Sequence, residues 1–172
     1  MKYISLLLTT LLATSAFASE KECDINWLET KAEQNHAPSV ERLAEIYKKG
    51  ECGVHISDAK ADEWNQRLAS LGPEYAFRLA WKIEKGFILA DNPLSKAEKW
   101  YRKAAEQGHA KAQLALAYHY FKGKFKKDYV MSYVWARMAL PSKEHWNYHD
   151  SAKGGGDAPY ILGALARVMN KS

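Results

Sequence analysis

The side chains best able to do chemistry are six histidines and two cysteines. His145 and His149, with Asp150 beside them, have the i, i+4 spacing that sets two imidazoles on one helix face, an arrangement zinc sites use. Pro141 lies just before this stretch and Gly154, Gly155 and Gly156 lie just after it, so a stable helix is not expected. No further ligand is marked, and an exposed pair of histidines is the expectation; no metal and no cofactor are assigned. His149, Asp150 and Ser151 are consecutive, whereas a nucleophilic triad needs groups that converge from separate elements. Glu41 and Glu45 read as a solvated pair on one helix face, and no glycine loop suited to phosphates occurs. No catalytic residue is therefore named.

The elements that would position such groups begin with the N-terminus. Lys2, the apolar stretch Ile4 to Leu12 and the small-residue triplet Ala16-Phe17-Ala18 have the layout of a cleaved signal peptide. Thr9, Thr10, Thr14 and Ser15 dilute a segment already shorter than the roughly 20 apolar residues of a membrane span. The expectation is cleavage near Ala18, no stable membrane anchor, and a periplasmic or secreted chain. Loss of Lys2 lowers the formal charge of +5 by one, a mildly basic balance. Basic and acidic residues are interleaved and do not form one stripe, so nucleic acid is not the expected partner. The remaining length is enough for a domain with a proper core.

Internal periodicity is the strongest signal. Trp27, Trp64, Trp100 and Trp135 recur at intervals of 37, 36 and 35 residues. Periods in this range mark stacked helix pairs. Three residues before the last three tryptophans lie Ala61, Ala97 and Ser132, and four after them lie Leu68, Ala104 and Ala139, offsets that trace one helix face. Asn35, Gly72 and Gly108 follow the first three tryptophans by eight residues and are suited to the left-handed conformation that ends a helix. Second helices are expected from near Pro38, Pro73 and His109 to Gly50, Gly86 and Gly123, proline being tolerated in the first turn. The fold class is all-α, an α-solenoid of about three and a half antiparallel helix-pair repeats plus a C-terminal capping helix. The expected organisation is a signal peptide over 1–18, an array over 19–140 with units near 24–58, 59–95, 96–130 and a partial 131–140, and a cap over 141–172. The closing helix should run from about Asp157, a candidate N-cap, to Met169.

The run Ala97-Glu98-Lys99-Trp100-Tyr101-Arg102-Lys103-Ala104-Ala105-Glu106-Gln107-Gly108-His109-Ala110-Lys111-Ala112 resembles the signature of the Sel-1-like repeat, a relative of the tetratricopeptide repeat. Gly50-Glu51-Cys52-Gly53-Val54 with Asp58, Ala61 and Trp64 resembles the connection between such repeats, and Asp128 with Trp135 repeats its end. Asp24 and Lys31 depart from the small apolar residues usual there, which fits the first unit as a polar end cap. The resemblance implies a binding scaffold for peptides or proteins, with exported bacterial members acting as adaptors, envelope-assembly factors or immunity proteins. A periplasmic protein or peptide is the partner it implies. The alternative function is a small cell-envelope or peptidoglycan-acting hydrolase, which would require a cleft with converging His and carboxylate groups.

Three further features follow from the repeat layout. Cys23 precedes the first helix of unit one and Cys52 follows its second, so an antiparallel hairpin brings them to one end; a disulfide is the expectation and two independent thiols the alternative. At about 100° per residue, positions one before and two after each tryptophan lie opposite the packed stripe. These are Glu63, Gln66, Lys99, Arg102, Val134 and Arg137, a candidate inner binding face, the alternative being ordinary solvated helix surface. Lys122, Lys124, Lys126 and Lys127 form a basic turn suited to an anionic partner or merely to solubility, and Tyr129, Tyr133, Trp146, Tyr148 and Tyr160 suit a buried cap better than a hot spot. Mass spectrometry of the chain recovered from periplasm should give a species starting at Ser19; a mass retaining residues 1–18 contradicts the signal assignment.

Overall fold

The structure, a computed structural model, describes residues 23–140 and 158–170. Eight helices and no strand occur among them: α1 (Ile25–Glu33), α2 (Ala37–Lys49), α3 (Asp58–Ser70), α4 (Pro73–Glu84), α5 (Pro93–Glu106), α6 (Ala110–Lys122), α7 (Tyr129–Ala139) and α8 (Ala158–Met169). The expected all-α alternation of first and second helices is present, and the closing helix falls within a residue of its predicted start. Residues 1–18, the His145/His149/Asp150 group, Trp146, Tyr148 and the Asp157 cap lie outside the described residues. The chain divides into two compact units, with the boundary after Leu68.

In the first unit, Asp24 starts α1 by accepting a 3.0 Å hydrogen bond from the Trp27 backbone N–H, one of the donors a helix start leaves unpaired. The other end of α1 is met by Arg67, whose Nη2 donates to the Ala32 carbonyl at 3.0 Å, a cation at the negative end of the helix dipole. Leu28, Ala32, Val40, Leu43, Ile46, Ala61 and Leu68 form the buried apolar set. α2 stops at Gly50, whose φ of 71° and N–H bond to the Ile46 carbonyl close the helix. A Cβ at Gly50 would meet Ile56 Cγ1 at 2.8 Å, so the site needs glycine for space as well as for its backbone angle. Cys23 and Cys52 are joined by a disulfide with Cα atoms 5.1 Å apart, as the hairpin argument requires.

In the second unit, consecutive helices from α4 to α8 pack each on the next, and α8 also returns to α6. α6 is the most enclosed, with every residue from Ala112 to Ala117 buried. The small residues at the expected offsets, Ala97, Ala104, Ser132 and Ala139, are all buried. Ser132 Oγ donates to the Ala117 carbonyl at 2.7 Å and Gln113 Nε2 to the Ala105 carbonyl at 3.1 Å, so the polar atoms between these helices are paired where they pack. Among the tryptophans, Trp135 is buried whereas Trp27, Trp64 and Trp100 are half-buried, as fits a ring too large for full enclosure beside a close helix contact. One turn differs from expectation. Asn35 and Gly108 are left-handed with φ of 61° and 82°, but Gly72 is extended at φ 171°. The ring of Pro73 crowds the residue before it and drives it to extended backbone.

A polar cluster inside this unit escaped the sequence reading. The Glu84 carboxylate at the end of α4 accepts from Tyr101 Oη of α5 at 2.7 Å, from His119 Nε2 of α6 at 3.3 Å, and from Lys124 Nζ in the following turn. The side chains of Glu84 and His119 are fully buried. Burial alone pushes the Glu84 carboxyl upward, but the hydrogen bonds from His119, Lys124 and Tyr101 outweigh it and hold the group at about 2. Burial, joined by the neighbouring carboxylate, drives the Tyr101 phenol far above its ordinary range. One anion thereby ties three helices together.

Two outcomes test this account. Reducing the disulfide, or the variant Cys23→Ser/Cys52→Ser, should lower unfolding free energy by about 3 kcal/mol in urea titrations, while the unreduced chain should not react with a thiol reagent. Because the folded Glu84 value lies below the ordinary 4.5, its stabilisation is complete above about pH 4.5 and is lost as pH falls through about 2. Glu84→Gln should cost about 2 kcal/mol at neutral pH and remove that part of the acid dependence, as measured by denaturant midpoints between pH 2 and 7.

Candidate interaction surface

The first helices carry the proposed inner-face residues. Glu63 and Gln66 are exposed on α3, Lys99 on α5, and Val134 and Arg137 on α7, while Arg102 is half-buried on α5. Helical spacing explains the exposure: with Ala97, Tyr101, Ala104 and Ala105 buried, the residues on the opposite side of α5 turn outward. Glu63 and Gln66 belong to the first unit and the other four to the second.

Arg102 is held by its neighbours. Its Nη2 donates to Glu98 Oε1 at 2.7 Å and to Tyr120 Oη at 2.6 Å, and the Tyr120 hydroxyl donates to Glu98 Oε1 in turn. Burial and the Glu98 carboxylate push the Tyr120 phenol up to about 12, which keeps it a neutral donor at any physiological pH. Tyr120 is buried on α6; the guanidinium on α5 is therefore fixed from a second helix. A charged side chain held this way loses less rotamer freedom when it meets a partner carboxylate. Beside it, Lys103 Nζ lies 4.9 Å from the centroid of the Trp100 ring, a cation–π contact on the same helix. That Arg102 lies off the packed stripe is legible from the period, whereas its clamp and partial burial are not, because Glu98 and Tyr120 are 22 residues apart in sequence.

Three of the four lysines of the basic turn have internal partners, and Lys126 is exposed. Lys124 pairs with Glu84, Lys122 Nζ lies over the Tyr118 and Phe121 rings at 5.7 and 5.5 Å, and Lys127 Nζ lies 5.9 Å from the Tyr129 ring. Of the aromatic residues expected in a cap, Tyr129 is half-buried while Tyr133 and Tyr160 are exposed.

Two His–carboxylate contacts bear on the hydrolase alternative. His119 and Glu84 meet inside the helix core with no exposed side-chain surface, so a substrate has no approach to them. His109 accepts at Nδ1 from the Ala112 backbone N–H at 3.2 Å. That bond leaves its proton on Nε2, which donates to Glu74 at 2.8 Å. Its ring also stacks on Phe77 with centroids 4.8 Å apart. This histidine is a helix cap in the structure. Among the described residues, no group of three or more His, Cys, Asp and Glu side chains could hold a metal ion, and no helix is long and apolar enough to cross a membrane.

The Sel1 repeat family model matches residues 73–109 and 110–140. No curated protein matches the chain. Among solved structures, the chain is similar to a Sel1 repeat protein from Oxalobacter formigenes, with 26% identity and a TM-score of 0.53 over 70% of this chain and 91% of that one. It is also similar to a protective antigen of uropathogenic Escherichia coli displaying an SLR fold, with 25% identity and a TM-score of 0.51 over 86% of this chain. It spans 29% of that antigen's length. The helix order, the buried small residues at one period and these matches agree: residues 73–140 form two Sel1 repeats.

Proposed function

We propose that this protein is an exported, periplasmic protein-binding module, an adaptor, envelope-assembly factor or immunity-type protein that catalyses no reaction. Sel1 repeats mediate protein–protein interaction, which supports the general class. The finer assignment draws on the signal layout of residues 1–18 and on the Cys23–Cys52 disulfide, a bond that persists in oxidising compartments.

The observation that carries the reading is the fixed guanidinium of Arg102, held between Glu98 and Tyr120 next to the exposed Lys99. An arginine locked in place and still partly open to solvent is the kind of group on which binding energy concentrates. With Arg137 one repeat further on, the outward faces of α5 and α7 present cations to an acidic or extended segment of a partner.

The test is affinity capture from periplasmic extract with the tagged, exported chain, followed by mass spectrometry. A specific protein should be recovered at mild salt, and Lys99→Glu should reduce its recovery at least tenfold without loss of helicity, since Lys99 is exposed. No specific protein captured under those conditions would overturn the binding assignment.

A further inference from the structure

The tryptophan register allows equivalent positions of the first helices to be compared. Five, two and one residues before the tryptophan, and two and three after it, α3 carries Ala59, Asp62, Glu63, Gln66 and Arg67, and α5 carries Ser95, Glu98, Lys99, Arg102 and Lys103. The same positions on α7 are Val130, Tyr133, Val134, Arg137 and Met138. The face that is polar on two first helices thus becomes apolar on the third. It remains open, with Val130 66%, Tyr133 45%, Val134 40% and Met138 46% exposed.

Packing within the fold does not require this change. α7 buries Ser132, Trp135, Ala136 and Ala139 against its neighbours, and the offsets of Ser132, Ala136 and Ala139 are those that α5 buries with Ala97, Tyr101 and Ala104. The apolar side is the other one. Its composition, tyrosine, methionine, valine and one arginine with no lysine or acid, is that of the centre of a protein interface, and methionine adapts its shape to a partner. Cations surround it. Lys126 and Lys127 are exposed in the turn leading into α7, and Arg137 is exposed within the strip. α7 contains no acidic residue, and Asp128 at its start is engaged by the Met131 backbone N–H at 2.9 Å.

We infer that the exposed face of α7, formed by Val130, Tyr133, Val134 and Met138, is a docking strip for an acidic amphipathic helix of a partner protein. The inference rests on the protein-binding reading above and specifies the chemistry of the partner. Val130, Tyr133, Val134 and Met138 stand at i, i+3, i+4 and i+8 on one helix face; the apolar stripe of an amphipathic helix can lie along it, and carboxylates beside that stripe would meet Lys126, Lys127 and Arg137.

The test uses the exported chain and two synthetic helical peptides with the same leucine stripe, one flanked by glutamates and one by lysines, titrated by calorimetry. The glutamate peptide should bind, the lysine peptide at least tenfold more weakly, and the difference should shrink as salt is raised. Val134→Glu should weaken the glutamate peptide at least tenfold at unchanged helicity and melting temperature. Val130→Glu, at the most exposed position of the strip, provides the same reading if Val134→Glu destabilises the fold. Met138 should be oxidised by peroxide in the free chain and protected by the peptide.

Equal binding by wild type and both variants overturns the assignment. So does a dimer that dissociates in Val130→Glu, which would make a second copy the occupant, and so does Met138 protection in the free monomer, which would make it the chain itself. Binding to phosphatidylglycerol vesicles without peptide binding would assign the strip to a lipid surface instead. If the captured periplasmic protein depends on Lys99 but not on Val130 or Val134, the docking strip fails and the protein-binding reading stands; if no protein is captured at all, both fall.

Discussion

The enclosure of α6 is the constraint from which the rest of the second unit follows. A helix covered by neighbours on nearly every side must carry apolar or small residues around its whole circumference, and each polar atom left on it needs an internal partner. α6 meets the first demand with an unbroken buried run from Ala112 to Ala117. It meets the second through Gln113, paired to the Ala105 carbonyl, and His119, paired to Glu84. The flanking helices are then obliged to present small residues where they approach, which is why alanine or serine recurs three residues before and alanine four residues after the later tryptophans.

Two clusters built on single carboxylates show how one fold uses the same chemistry for different ends. The Glu84 side chain is wholly enclosed and accepts from donors on two other helices and the turn that follows them. Glu98 sits at the edge, where its partners leave part of Arg102 open to solvent. The first arrangement serves cohesion, since removing any one partner would leave a buried charge uncompensated. The second fixes a cation without consuming it.

The repeat was legible because period and helix face are properties of local sequence. Ala61, Ala97, Ser132 and their partners four residues beyond the tryptophan could be placed on one face without knowing what they touch, and so could the exposure of Glu63, Lys99 and Arg137. The meeting of Cys23 and Cys52 was legible for a related reason, since a hairpin of two antiparallel helices returns the chain to the end where it began. Gly72 was misjudged because residue type alone permits either backbone conformation, and the deciding influence was the Pro73 ring beside it.

Tyr101, His119 and Lys124 lie 17, 35 and 40 residues from Glu84 in sequence, and none of the four is marked by a motif. Their meeting depends on the angle and offset between three helices, quantities that no single helix encodes. The same holds for Glu98 and Tyr120, whose contact turns a solvent-facing arginine into a fixed one. The sequence by itself determined the helices, their order and their buried faces, and it placed Cys23 and Cys52 at one end of a hairpin, because these depend on neighbours a few residues or one hairpin away. Only the tertiary structure decided which charges are enclosed, which are held and which are left facing solvent, because burial of a charged group is a property of everything packed around it.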